Sequence, residues 1–168
     1  MLYDRGISCC FTGHRAQKLP WGTNEKDSRA IRFRLELQHA VTVAYGEGYR
    51  HFICGMATGG DTVFGEILVK ARPYLPGLSI EAAVPCRTQA DGWSPADRRR
   101  YDALLSSCDV VNVLQENYTS NCMLNRNRYM VDHSSLLLAA FSGVPGGTLQ
   151  TINYAIRCGL EIRYIPVP

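Results

Sequence analysis

Ser135-Leu136-Leu137-Leu138-Ala139-Ala140-Phe141 runs directly into Ser142-Gly143-Val144-Pro145-Gly146-Gly147-Thr148, and that junction decides the fold. A short, mostly apolar run stopped by glycine and proline reads as a strand buried on both faces. The glycine-rich stretch then opens a second pattern, Leu149, Ile152 and Ile156, spaced along one helix face and stopping at Gly159. Strand, glycine loop and amphipathic helix in that order form one unit of a parallel α/β sheet.

The same unit recurs on either side. Ile7 to Phe11 ends in Thr12-Gly13-His14, His51 to Cys54 ends in Gly55, and Ser79 to Val84 is stopped by Pro85. Asp109 to Leu114 and Glu161 to Ile165 complete the apolar runs. Between them lie helical stripes: Ala30, Phe33, Leu37 and Val41; Phe64, Ile67, Leu68 and Ala71; then Met123, Asn127, Met130 and Val131. Ser94-Pro95 is a helix start, with serine as cap and proline at the first position, ahead of Tyr101, Leu104, Leu105 and Cys108. Repeated alternation forces parallel pairing through right-handed crossovers. The expected fold is α/β, a Rossmann-like open, mostly parallel sheet of about six strands with helices on both faces. The 168 residues suffice for one domain, 1–168, and fall short of the eight units of a closed barrel. The segment Leu19 to Asp27 is the stretch expected to be mobile.

Composition narrows the class. Hydrophobic residues make up 46% and charged ones 20%, which excludes a disordered or fibrous chain. No apolar run approaches the roughly 18–20 residues of a membrane helix, and the amino terminus lacks a secretory layout. A soluble cytoplasmic protein without membrane contact is expected. The seven cysteines are odd in number and contain no CxxC pair, so reduced buried thiols are expected and a metal site is not. A net charge of +3 is weak for a nucleic-acid binder, so nucleic acid is not expected as a partner. Fifteen arginines against three lysines hint at anionic ligands, although GC-rich coding gives the same bias.

In open α/β sheets ligands bind beyond the carboxyl ends of the strands. The residues there are Thr12, Gly13, His14 and Arg15; Gly55, Thr58, Gly59, Gly60 and Asp61; Pro85, Gln89 and Trp93; and Ser142, Gly146, Gly147 and Thr148. Two glycine loops feeding helix amino termini offer unpaired amides and a positive dipole end to an anion. Neither matches GxGxxG or GxxxxGK[ST], and glycine also serves a tight turn with no ligand at all. The reading is that backbone amides of residues 58–61 and 146–148 hold the phosphate of a small-molecule nucleotide ligand. His14 is a candidate acid, base or phosphate donor, or else a structural cap. Asp61 is a first-turn charge or a sugar ligand. Arg98-Arg99-Arg100 reads as a solvated helix face, while Arg126 and Arg128 diverge on theirs. Trp93, Tyr118 and Tyr129 are candidates for stacking on a base, with core packing the alternative. Cys86 is not expected to be a reactive thiol.

Taken together these loops resemble a known superfamily. Gly55-Met56-Ala57-Thr58-Gly59-Gly60-Asp61 is similar to a stretch of the DNA-processing DprA/Smf proteins. Met123 through Thr151 is similar to the LOG phosphoribohydrolases, with Arg126 on their catalytic arginine and Met123 and Met130 on two methionine positions. The whole chain most closely resembles the YpsA-like branch of this SMF/DprA–LOG (SLOG) superfamily. The resemblance implies a Rossmann-like fold and a pocket for a nucleotide or ADP-ribose-like ligand, and it adds a homodimer as an expected arrangement. Where LOG hydrolases carry their catalytic glutamate this chain has Thr151, which cannot stabilise an oxocarbenium-like centre. Asp132 or Asp61 would have to replace it, with Arg126 as catalytic partner. Three readings follow: a ligand-binding sensor or regulator, a LOG-like N-glycosidase, and a DprA-like single-stranded DNA binder.

Overall fold

Alternate residues of each strand face opposite layers of the molecule. Cys9 and Phe11 enter one apolar layer with Phe52, Cys54, Ile80, Ala82, Leu136 and Leu138, while Cys10 enters the other with Ile53, Ala83, Leu137 and Ala139. Burial on both faces is why these runs are continuously apolar. The computed structural model describes residues 3–168. Its strands are β1 (Ser8–Gly13), β2 (His51–Cys54), β3 (Ser79–Val84), β4 (Val110–Val113), β5 (Leu136–Ala140) and β6 (Glu161–Ile165). The helices are α1 (Ser28–Gly46), α2 (Gly60–Ala71), α3 (Pro95–Ser107), α4 (Cys122–Asp132) and α5 (Gly147–Arg157).

The strands form one open six-stranded sheet in the order β4-β3-β2-β1-β5-β6. Every pairing is parallel, which sharpens the expected mostly parallel sheet. The chain steps outward from β1 to β4, then crosses back to lay β5 on the other side of β1, so strand order reverses between β1 and β5. Phe33 and Leu37 of α1, Phe64 and Leu68 of α2 and Leu104 of α3 pack in the first layer. Met130 and Val131 of α4 and Ile152 and Ala155 of α5 pack in the second. No helix among the described residues is long and apolar enough to cross a membrane.

Three expectations need revision. Strand β1 runs beyond its apolar stretch, because Thr12 and Gly13 pair with Ala139 and Ala140. The segment 19–27 is anchored rather than mobile. Leu19 and Trp21 are buried, and the Trp21 ring lies 5.3 Å from that of Phe33. Turn bonds tie it down further, from Gly22 N to Leu19 O at 2.9 Å and from Asn24 N to Trp21 O at 3.0 Å. Arg100 is not simply solvated. Its guanidinium bonds Glu66 Oε1 and Glu25 Oε1, both at 2.8 Å, and thereby ties α3 to α2. All seven cysteines are free, and Cys9, Cys10, Cys54, Cys86 and Cys122 are buried. Burial pushes the Cys10 thiol up to about 12.

Candidate functional site

Beyond Gly13 the chain turns through His14 and Arg15 into a short 3-10 turn, Ala16–Lys18. His14 is buried, and its Nε2 accepts the backbone N–H of Ser142 at 3.1 Å, with Ser142 Oγ at 2.9 Å. An Nε2 that accepts an amide proton belongs to a neutral ring. Burial first, then the nearby Lys18 charge, hold the His14 pKa below its ordinary value. His14 therefore clamps the loop after β1 to the loop after β5, the two strands that flank the reversal in strand order.

The loop before α2 docks on the same turn. Gly59 has φ +80°, and a Cβ there would lie 2.5 Å from Ala16 N and 2.7 Å from His14 O. Only glycine lets the two backbones touch in this way. The Gly60 amide donates to His14 O at 3.0 Å, and the Ala57 amide donates to Asp61 Oδ2 at 3.0 Å. This corrects the expected phosphate cradle of amides 58–61 at one position: the Gly60 amide is engaged by the protein's own carbonyl.

The α5 end differs. Gly147 and Thr148 line a cavity of about 260 Å³ together with Thr12, Gly13, His14 and Arg15. First-turn amides have no acceptor within their own helix. Lys18, another lining residue, brings its Nζ to 2.8 Å from where a Cβ on Gly146 would stand. The floor is supplied by Asp61 and Arg126, both buried. Arg126 donates through Nη1 to Gly55 O and through Nε to Asn127 Oδ1 at 2.8 Å. Burial pushes the Asp61 carboxyl above its ordinary range, opposed by the Arg126 charge, while burial lowers Arg126. Three cations and a helix amino terminus thus face one carboxylate. Such a cavity favours an anion and keeps one acceptor for hydroxyl groups.

Other residues singled out in the sequence lie outside that lining. Thr58, Gly59 and Gly60 shape the α2 entrance, and Gly55 sits behind it as acceptor for Arg126. Ser142 orients His14. Pro85 is buried, Gln89 places Nε2 3.4 Å from Gly55 O, and the Trp93 ring packs edge-on against Tyr101 at 5.3 Å. Asp132 is exposed at the end of α4, where its Oδ1 accepts from the Tyr154 hydroxyl at 2.7 Å, and it does not line the cavity. Thr151 directs its hydroxyl to Gly147 O at 2.8 Å, within its own helix. Arg128 lies exposed over the Tyr154 ring, and Tyr118 is 65% exposed with no stacking partner among the described residues. Lys18 and Gln17 line the cavity unforeseen. The signal for Lys18 was a cation one short turn beyond Thr12-Gly13-His14-Arg15.

The YpsA family model, described as the YspA SLOG family, matches residues 9–156. The chain belongs to this SLOG family. The match runs from the second residue of β1 almost to the end of α5, and so spans both loops of the cavity. A SPbeta prophage-derived protein of Bacillus subtilis, YoqJ, is 28% identical over 124 residues, which is 65% of this chain and 71% of that one. A UPF0398 protein of Bacillus pumilus is 23% identical over 133 residues, covering 77% of this chain and 70% of its own. Among solved structures, DNA processing protein A from Helicobacter pylori superposes with a TM-score of 0.63 at 12% identity. That match takes in 95% of this chain but only 65% of the neighbour, whose structure describes single-stranded DNA binding. At such identity the likeness carries the SLOG fold alone.

Proposed function

We propose that this SLOG protein binds a nucleotide-derived phosphate ligand at the reversal between β1 and β5 and acts as a sensor or regulator. One observation carries the reading: Arg15, Lys18, Arg126 and the amino end of α5 line one cavity with a single carboxylate, Asp61. The phosphate sits against Gly147, Thr148 and Lys18, Arg126 adds positive charge from the floor while its Nε and Nη1 hold Asn127 and Gly55, and Asp61 accepts sugar hydroxyls. Binding without turnover fits Thr151, whose hydroxyl is turned into its own helix. Titration calorimetry with AMP, ADP-ribose and NAD tests this. Saturable binding of at least one is expected, and no binding at about 1 mM by any of them removes the reading.

A second reading is favoured by one further feature. Asp61 and Arg126 both reach the space above Gly55, and burial keeps the carboxyl above its ordinary range. A carboxyl so placed can serve as acid or base in N-glycosidic cleavage. Release of ribose 5-phosphate from AMP, abolished in both Asp61→Asn and Arg126→Ala, would establish the hydrolase. Release that persists in those variants would place the chemistry elsewhere.

A further inference from the structure

A second hollow, of about 250 Å³, opens near the amino ends of the strands, beneath the carboxyl end of α4. Tyr3, Tyr129 and His133 wall it, and His51, Glu81 and Asn112 form its floor. Glu81 is only 5% exposed. Its Oε2 lies 2.5 Å from His51 Nε2, and its Oε1 accepts the Tyr129 hydroxyl. Burial pushes this carboxyl up, but the bonds from His51 and Tyr129 outweigh it and hold the pKa below its ordinary value. A carboxylate is therefore present at neutral pH.

The groups around it leave acceptors unsatisfied. Asn112 Nδ2 donates to the Tyr129 hydroxyl at 2.8 Å, which leaves the amide oxygen without a partner among the described residues. His133 Nδ1 is 2.7 Å from Tyr129 O, a carbonyl that can only accept, so in the neutral ring Nε2 keeps its lone pair. Ser8 gives its hydroxyl proton to Asp4 O at 2.8 Å. No Lys or Arg lines the hollow among the described residues, whereas the SLOG cavity holds Arg15, Lys18 and Arg126. The walls are aromatic: Tyr3 stacks on His51 at 3.7 Å, and the Tyr129 ring lies tilted by 32° against His133 at 4.1 Å. Aromatic faces around a carboxylate and spare acceptors favour a cation that donates hydrogen bonds.

We infer that this hollow is a second binding site, for a small organic cation with N–H donors: a protonated amine. Calorimetry on the full chain with tyramine hydrochloride, set against tyrosol, tests it, because tyrosol carries a hydroxyl in place of the ammonium group. Tyramine should bind saturably with a Kd at or below about 1 mM, and tyrosol at least about tenfold more weakly. Glu81→Gln should weaken tyramine by at least about tenfold. Should that variant fail to fold by circular dichroism, Val110→Trp, which fills the hollow from the outermost strand, should do the same. Absence of tyramine binding, equal binding of the two compounds, or an affinity unchanged in a folded variant would each overturn the site.

Discussion

A β-carbon added to Gly55 would lie 2.8 Å from an Arg126 guanidinium nitrogen and 2.9 Å from an Asp61 carboxylate oxygen, so this residue is small because two charged side chains meet over it. Its neighbour Met56 is buried at φ 64°, a left-handed conformation that non-glycine residues seldom adopt. Gly55→Ala should push Arg126 off the Gly55 carbonyl and lower AMP affinity at least about tenfold, read by calorimetry. The overpacking should cost about 1–3 kcal/mol of stability in a denaturant titration. His14 supplies a pH dependence. Its folded pKa lies below the ordinary 6.5, so the unfolded chain binds the proton more readily. The contribution of His14 is therefore complete above 6.5 and declines as pH falls through that value toward the lower folded one. Protonation also ends the bond that Nε2 accepts from Ser142. Melting temperature should drop between about pH 7 and pH 5, and the drop should be shallower in His14→Gln, whose amide oxygen keeps the Ser142 contact without titrating.

Among the elements, α3 owes its start to Ser94, whose Oγ accepts the Asp97 amide at 3.2 Å, and to Pro95 in the first turn. Ser94→Ala should cost about 1 kcal/mol, or about 2–4 °C in a thermal melt, with ligand affinity unchanged. That cap was legible because serine and proline act locally, and the central strands β1, β2, β3 and β5 were legible because burial on both faces writes a mostly apolar run, whereas the edge strands β4 and β6 are only partly buried and keep shorter apolar stretches. The starts of α2 and α5 were legible from the loops instead: Asp61 reads as a first-turn charge and the glycine stretches as openings of helices, which begin at Gly60 and Gly147 although these residues fall off the apolar stripe. The site was legible only in part. The loops after β1, β2 and β5 all border the cavity, as expected of the carboxyl ends of parallel strands, yet nothing local reveals that the Gly60 amide is already engaged or that Asp132 bonds Tyr154 instead. Those facts depend on how loops dock, which is a tertiary matter. Helix α4 shows the same limit: Arg126 and Met130 face the SLOG cavity, while Tyr129 and His133 face the second hollow. An eleven-residue helix, about 16 Å long, thus lines both cavities, and no spacing rule assigns its faces to two hollows.

At the scale of the whole molecule, the arginine excess is partly absorbed by the fold. Arg29, Arg34, Arg72, Arg87, Arg98, Arg100 and Arg163 all pair with Asp or Glu, within distances from 2.5 to 3.7 Å. Seven of the fifteen are thereby engaged in ion pairs with the protein's own carboxylates. Arg15, Lys18 and Arg126 are the cations lining the SLOG cavity. The salt dependence of binding separates a small ligand from a nucleic acid strand. Binding of a single strand weakens with salt in proportion to the phosphates neutralised, with a slope of about −0.7 per contact. If an oligonucleotide engages only the three cavity cations, its affinity should fall no more than about twentyfold between 50 and 200 mM salt. Fluorescence anisotropy with a labelled oligothymidine across that range measures the slope. A much steeper loss would mean that cations well beyond the cavity take part, and would move the functional reading from a bound nucleotide toward the strand itself.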